Sequence, residues 1–206
     1  MKNRAKKTFR QIRYDDKKSR VLESAARLFL KKSYEKTTME DVSNELFMTK
    51  GSLYSYVKSK EDMLFQCHMK ALEMGNRGLM ETLNSNLAPK VKLRKAIVRH
   101  VELVTEGFAV GTLRHQEHLL PKHMREQVIK KRDKFERAFL KILGGTIRTR
   151  RHDKDNTNIK VMAYAILGAL NWVPRWYSPE GRLSPTQIGE IIADYLIGKI
   201  EKKVRS

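Results

Sequence analysis

Residues 37–62 read TTMEDVSNELFMTKGSLYSYVKSKED, and three helix starts fall within them. Thr37 and Glu40 have the spacing of a capping box, in which a hydroxyl and a carboxylate each satisfy a free N–H at a helix start. This predicts a helix running to about Leu46. Thr49 is placed to cap a second helix from Lys50 to about Tyr56, and Ser59 with Asp62 opens a third. Two helices of about two turns are too short to persist alone, and joined by a tight turn they suit a helix-turn-helix, whose second helix enters the DNA major groove. Periodicity alone fits an ordinary helical hairpin with a basic outer face equally well.

The second helix has side chains suited to a phosphate-lined groove. Lys50 brings charge to its leading end, Gly51 lets backbone come close, Ser52 and Ser55 offer hydroxyls, and Tyr54 and Tyr56 combine ring contact with an O–H donor. Leu53 and Val57, four apart, share the inward face. Thr38, Tyr54, Lys58 and Lys60 are placed to hold phosphates and fix register.

The order of residues from Thr37 to Leu64 resembles the DNA-binding signature of the TetR (tetracycline-repressor) family of regulators. The threonine pair, Thr49-Lys-Gly-Ser-Leu-Tyr54, the aromatic at Tyr56 and Lys58-Ser-Lys-Glu-Asp-Met-Leu64 follow without a gap. With Ala25 to Tyr34 ahead of it, the resemblance covers roughly residues 21–64. It implies an all-α chain with a three-helix DNA-binding domain and a larger helical domain for ligand and dimerisation. It also implies DNA contact by Thr38, Thr49, Lys50, Gly51, Ser52, Tyr54, Ser55, Tyr56, Lys58 and Lys60. Two positions depart from the pattern: Phe47 stands at the usual turn glycine and Ser43 at a helix alanine. A phenylalanine at positive φ is strained, so a different turn is one expectation here.

The 206 residues suffice for a sizeable core, and 43 basic against 23 acidic side chains give a formal charge of +20, which favours a polyanionic partner. Residues 1–60 carry +9 and residues 61–206 carry +11, so charge is densest at the N-terminal end. The expected division is a basic flexible arm over 1–17, a DNA-binding domain over 18–64 and a ligand-binding and dimerisation domain over 65–206. An arm of this kind can reach a neighbouring minor groove. Cys67, the single cysteine, sits at helix spacing and reads as a structural thiol. With no apolar run of about 20 residues and no signal sequence, a cytoplasmic protein is expected, with no membrane partner.

Further helices are expected from about Asp16 to Lys32, Ser59 to Leu83, Lys90 to Gly107, Thr112 to Leu120, Gln127 to Leu143 and Asn158 to Val173, with a last one opened by Ser184-Pro-Thr-Gln187. Gly144 and Gly145 are placed at or beyond a helix end. The stretch VMAYAILGALNW is apolar on most sides, so it needs burial from more than one direction. In the TetR family the two terminal helices form a dimer interface, and the resemblance implies the same role for Val161, Ala165, Gly168, Ala169, Ile188, Ile191, Ile192 and Tyr195. A homodimer also has a physical motive, since two reading helices must sit about one DNA turn, ~34 Å, apart.

Residues 171–185, NWVPRWYSPEGRLSP, resemble the corresponding part of subgroups that respond to acyl-coenzyme A thioesters. This implies a small-molecule effector held by Phe108, Trp172, Arg175, Trp176 and Tyr177, with charge from Arg148, Arg150 and Arg151. Aromatic core plugs are the plain alternative, and an apolar or cationic effector, as in drug-efflux repressors, is the main rival. His115, Glu117, His118 and His123 lie close in sequence but lack the His-Glu-x-x-His order of a zinc hydrolase. Neither a metal site nor a catalytic residue is expected, no cofactor beyond the effector is implied, and a metal-dependent enzyme on His115 and His118 is the lower-ranked alternative.

Overall fold

The computed structural model describes residues 8–105, 114–147 and 157–205, and divides into two compact units, Met1–Cys67 and His68–Ser206. Phe108, Arg148, Arg150, Arg151 and the side chain of His115 lie outside the described residues. All regular structure among those described is helical, and no helix there is long and apolar enough to cross a membrane.

In the N-terminal unit, α1 spans Phe9–Lys32, α2 Met39–Glu45 and α3 Lys50–Tyr54, and the first turns of α4 (Lys60–Leu83) complete it. Helix α1 starts well before the expected Asp16, so Arg10 and Arg13 lie on a helix. The cause is Thr8, whose hydroxyl accepts from the Gln11 N–H at 3.3 Å and caps the first turn. Val21, Leu22, Ala25, Ala26, Leu28 and Phe29 form the buried stripe of α1, while Val42, Leu53, Val57, Met63 and Leu64 are buried from the other helices. Cys67 is buried as well, its thiol donating to the Leu22 carbonyl at 3.4 Å.

The capping box is one residue later than Thr37 and Glu40 predict. The Thr38 N–H donates to Asp41 Oδ2 at 2.8 Å and the Asp41 N–H to Thr38 Oγ1 at 3.1 Å. Thr37 is buried, and its hydroxyl donates to the carbonyls of Ser33 (2.7 Å) and Leu28 (3.3 Å), closing the end of α1. The turn from α2 to α3 keeps a glycine-like geometry despite its phenylalanine. Phe47 has φ 51°, its N–H donates to the Asn44 carbonyl at 3.1 Å, and the Met48 N–H reaches Ser43 at 2.9 Å. That is a left-handed helix stop, which costs a side-chain-bearing residue about 1–2 kcal/mol.

The C-terminal unit holds the rest of α4, then α5 (Pro89–Thr105), a 3₁₀ turn over Arg114–Leu119, α6 (Lys122–Thr146), α7 (Thr157–Trp172), a second 3₁₀ turn over Val173–Arg175, and α8 (Pro185–Arg205). Leu93, Ile97 and Val101 of α5 share one core with Phe139, Ile142 and Leu143 of α6, Leu167 and Leu170 of α7, and Ile188 of α8. Helix α5 lies closely against α8: a Cβ on Gly189 would stand 2.8 Å from Val98 Cα, so only glycine fits there. Arg94 pairs with both Glu190 and Asp194 across that contact. Gly144 and Gly145 fall inside α6 rather than beyond it, since Ile142 and Leu143 are buried and Thr146 donates to the carbonyls of Ile142 (3.1 Å) and Pro89 (3.0 Å). Ser184 and Gln187, expected to open α8, form a capping box there: the Ser184 N–H donates to Gln187 Oε1 at 2.8 Å and the Gln187 N–H to Ser184 Oγ at 3.2 Å.

Candidate functional site

Helix α3 is fixed from three sides. Thr49 Oγ1 accepts from the Ser52 N–H at 3.2 Å, Leu53 is fully buried beneath the helix, and Tyr14 of α1 holds its far end. The Tyr14 hydroxyl donates to the Ser55 carbonyl at 3.1 Å, and its ring lies 5.1 Å from that of Tyr56. With Leu53 inward, the helix turns Lys50, Gly51, Ser52 and Tyr54 to solvent, with Thr49 and Ser55 exposed at its ends. A Cβ on Gly51 would meet nothing within 4 Å, so the protein itself does not require glycine there; the bare backbone is an approach left open to another molecule.

The other expected contacts divide. Thr38 and Lys58 are exposed, although the Thr38 hydroxyl also serves the capping box and the Lys58 N–H donates to Asp62 Oδ2 at 2.7 Å. Tyr56 is half-buried against Tyr14, and Lys60 is turned into the protein. The Lys60 ammonium donates to the Glu35 carbonyl at 3.1 Å and stands 4.4 Å from the ring centre of Tyr34. Within the chain these contacts tie Tyr56 to α1 and Lys60 to the loop after α1, and both side chains stay partly exposed. Burial, with Glu61 and Glu35 close by, pushes the Tyr34 hydroxyl up to about 12, so the ring stays neutral beneath that cation.

Two ion pairs border the reading surface. Lys50 Nζ lies 2.9 Å from Glu40 Oε2, both exposed, and a pair of this kind is worth at most about 1 kcal/mol, so Lys50 is readily released to a phosphate or base. Lys32 Nζ donates to Asp41 Oδ1 at 2.8 Å. With the Thr38 N–H and hydroxyl added, this holds the Asp41 carboxyl down at about 2.

The C-terminal unit encloses a half-open cavity of about 360 Å³ between α4, α5 and α6. Met74, Gly75, Leu79, Ala96, Leu103 and Phe135 give it apolar walls, and Arg77, Glu81, Arg99, His100 and Glu102 add polar groups. Most of those are already engaged. His100 Nε2 is 2.9 Å from Asn171 Oδ1, the Arg99 guanidinium donates to the Gly78 carbonyl and to Glu81, and Glu102 accepts from the Thr186 hydroxyl at 2.7 Å. Gly75 makes the space: a Cβ there would stand 3.0 Å from Leu103 and 3.3 Å from Phe135. Sequence reasoning missed these residues, and its one available signal was a glycine inside a helical pattern.

Of the effector residues expected from the sequence, the described ones, Trp172, Arg175, Trp176 and Tyr177, do not line that cavity. Trp172 and Trp176 are 59% and 54% exposed, Arg175 lies 5.0 Å over the Trp172 ring, and Tyr177 packs against the core. Trp172 instead extends an outward apolar surface of α7 formed by Val161, Ala165, Gly168 and Ala169, all exposed. On α8, Ile191 and Tyr195 are exposed, whereas Ile188 is 5% exposed within the core and Ile192 packs against it. Ile188 is thus a core residue: it lies some 60° of helix rotation from Ile191, on the side that meets α5. Glu117 is held by Arg132 through two 2.8 Å bonds, and among the described residues no three His, Cys, Asp or Glu stand close enough to hold a metal.

Comparison with known proteins adds to this geometry. Residues 21–67 match the family described as bacterial regulatory proteins, tetR family, and residues 86–200 match the tetracyclin repressor-like C-terminal domain. The chain belongs to the TetR family. As a member it is a DNA-binding transcriptional regulator, and α2 and α3 are the helix-turn-helix of that family. It is 25% identical over 194 residues to the repressor KstR2 of Mycobacterium tuberculosis, covering 92% of this chain and 95% of that one. Its likeness to the regulator YerO of Bacillus subtilis, 29% over 112 residues, spans 38% of YerO's length. Among solved structures, AibR in complex with isovaleryl coenzyme A and operator DNA superposes with a TM-score of 0.71 at 26% identity, over 91% of this chain and 97% of that one.

Proposed function

We propose that this regulator is a homodimeric repressor that leaves its operator when a small molecule enters the cavity of the C-terminal unit. The observation that carries the reading is the pairing of an outward-facing α3 with a separate, partly apolar cavity lined by α4, α5 and α6. Lys50, Gly51, Ser52 and Tyr54 read base edges, while Thr38 and Lys58 hold phosphates. The exposed apolar surface of Val161, Ala165, Ala169, Trp172, Ile191 and Tyr195 is the face a second copy covers. Release follows if the effector binds better to a conformer in which the two reading helices are misplaced; a differential affinity of a few kcal/mol suffices.

An acyl-coenzyme A thioester is the best candidate effector. KstR2 is a repressor, and AibR was solved with isovaleryl coenzyme A and its operator. The apolar walls of the cavity suit an acyl group, and Arg77 and Arg99 at its margin suit the negative charge of the coenzyme. The rival, an apolar or cationic compound, draws support from Glu81 and Glu102 in the same lining. A gel shift on the DNA flanking the gene distinguishes them. Isovaleryl or a long-chain acyl-coenzyme A should dissolve the complex while free coenzyme A does not; release by a cationic dye and by no thioester would reverse the assignment.

A further inference from the structure

Phe47 has two features that the fold does not use. It occupies the left-handed conformation at the end of α2, φ 51°, where glycine has no Cβ to strain. Its ring is 98% exposed, so it gains nothing from burial within the chain. Among the described residues the other non-glycine residue at positive φ, Ser33, differs: its carbonyl accepts the buried Thr37 hydroxyl at 2.7 Å. At Phe47 the turn's hydrogen bonds are all backbone, from its own N–H to Asn44 and from Met48 to Ser43, and a glycine would keep both. The aromatic side chain therefore answers to something outside the molecule.

Its position says what that is. Two peptide units separate Phe47 from Thr49, the cap of α3, so their Cα atoms lie within about 7.6 Å of one another. Phe47 thus stands in the turn that leads into α3, two residues before exposed Thr49, Lys50 and Gly51, with its ring open to whatever that helix meets. The apolar group that duplex DNA presents in its major groove is the thymine C5 methyl. We propose that Phe47 is a specificity residue whose ring packs on a thymine methyl at the margin of the bases read by α3. This rests on α3 entering the major groove; what it adds is a base-specific apolar contact made from the turn, beyond those open to the Thr49 methyl and the Tyr54 ring on α3 itself.

The test uses the full chain and a duplex enriched by it from a random pool, in which each thymine is replaced in turn by uracil, removing only the methyl. In the wild type, one or two replacements per half-site should weaken binding about 3- to 10-fold, on the scale of a single lost base contact. Phe47→Gly should melt at a higher temperature than the wild type, bind the parent duplex about 10-fold more weakly and respond equally to thymine and uracil at those positions. Phe47→Leu should keep part of the difference. A Phe47→Gly protein that binds like the wild type with the same uracil profile overturns the proposal, as does weaker binding with every uracil effect retained. Failure of the wild type to enrich any duplex would sink the major-groove reading itself; enrichment that is lost in Lys50→Ala but unchanged in Phe47→Gly sinks only the role given to Phe47.

Discussion

The two units build their sites in opposite ways. In the N-terminal unit the reading surface comes from neighbours in sequence: Thr49 caps the helix that bears Lys50, Gly51, Ser52 and Tyr54, and Leu53 roots it. In the C-terminal unit the cavity is assembled from three stretches far apart along the chain, around Gly75 of α4, His100 and Leu103 of α5, and Phe135 of α6. A site made of near neighbours tolerates little change in its own segment, whereas an assembled cavity is sensitive wherever a wall residue changes volume.

That contrast is open to attack by mutation. Leu53→Ala removes the buried root of α3 and should cost about 2–5 kcal/mol of stability, with operator binding lost; a thermal melt and a gel shift check both, and binding that survives intact would mean α3 is held by its ends alone. Ala165→Arg places a charge in the exposed α7 surface. It should yield monomers by sedimentation and bind operator about 100-fold more weakly, since each half-site must then bind alone. Gly75→Ala fills the cavity wall, so the effector concentration needed for release should rise about 10-fold with effector-free DNA affinity unchanged.

The smallest expected effect is acid sensitivity in the cap of α2. Asp41 has a folded pKa of about 2, below its usual ~3.9, so its contribution is present above about pH 4 and is lost as pH falls toward 2. Asp41→Asn should flatten the dependence of melting temperature on pH over that window. An unchanged slope would show that Lys32 and Thr38 do not hold the carboxylate in solution.

How far the sequence was legible follows the same contrast. Thr49, Ser59 and Ser184 mark helix starts because a cap acts within three residues. The Thr37-Thr38 and Glu40-Asp41 pairs offer two registers, and only the burial of Thr37 chooses between them. The start of α1 was also written in the chain, as Thr8 and Gln11, but was masked by the scarcity of apolar residues after it. Lys60 and Tyr56 read as DNA contacts from their types alone, and their partners within the chain, Glu35, Tyr34 and Tyr14, come from elsewhere in the unit and leave no local mark beside them. The cluster of Trp172, Arg175 and Trp176 suggested a ligand site by composition, whereas exposure sets its two tryptophans on the outer surface. Beyond Gly75 inside a helical pattern, no local signal announces a cavity whose walls are three separate helices.

The central claim is that the exposed side of α3 distinguishes one duplex sequence from another. Its most direct test is a binding titration of the wild type and Gly51→Ala on a selected duplex and on its scrambled counterpart, at one fixed salt concentration. The wild type should prefer the selected duplex about a thousandfold or more, and Gly51→Ala should lose most of that preference while melting at the same or a higher temperature, since its added methyl meets nothing in the protein. Equal affinity of the wild type for both duplexes would contradict the account.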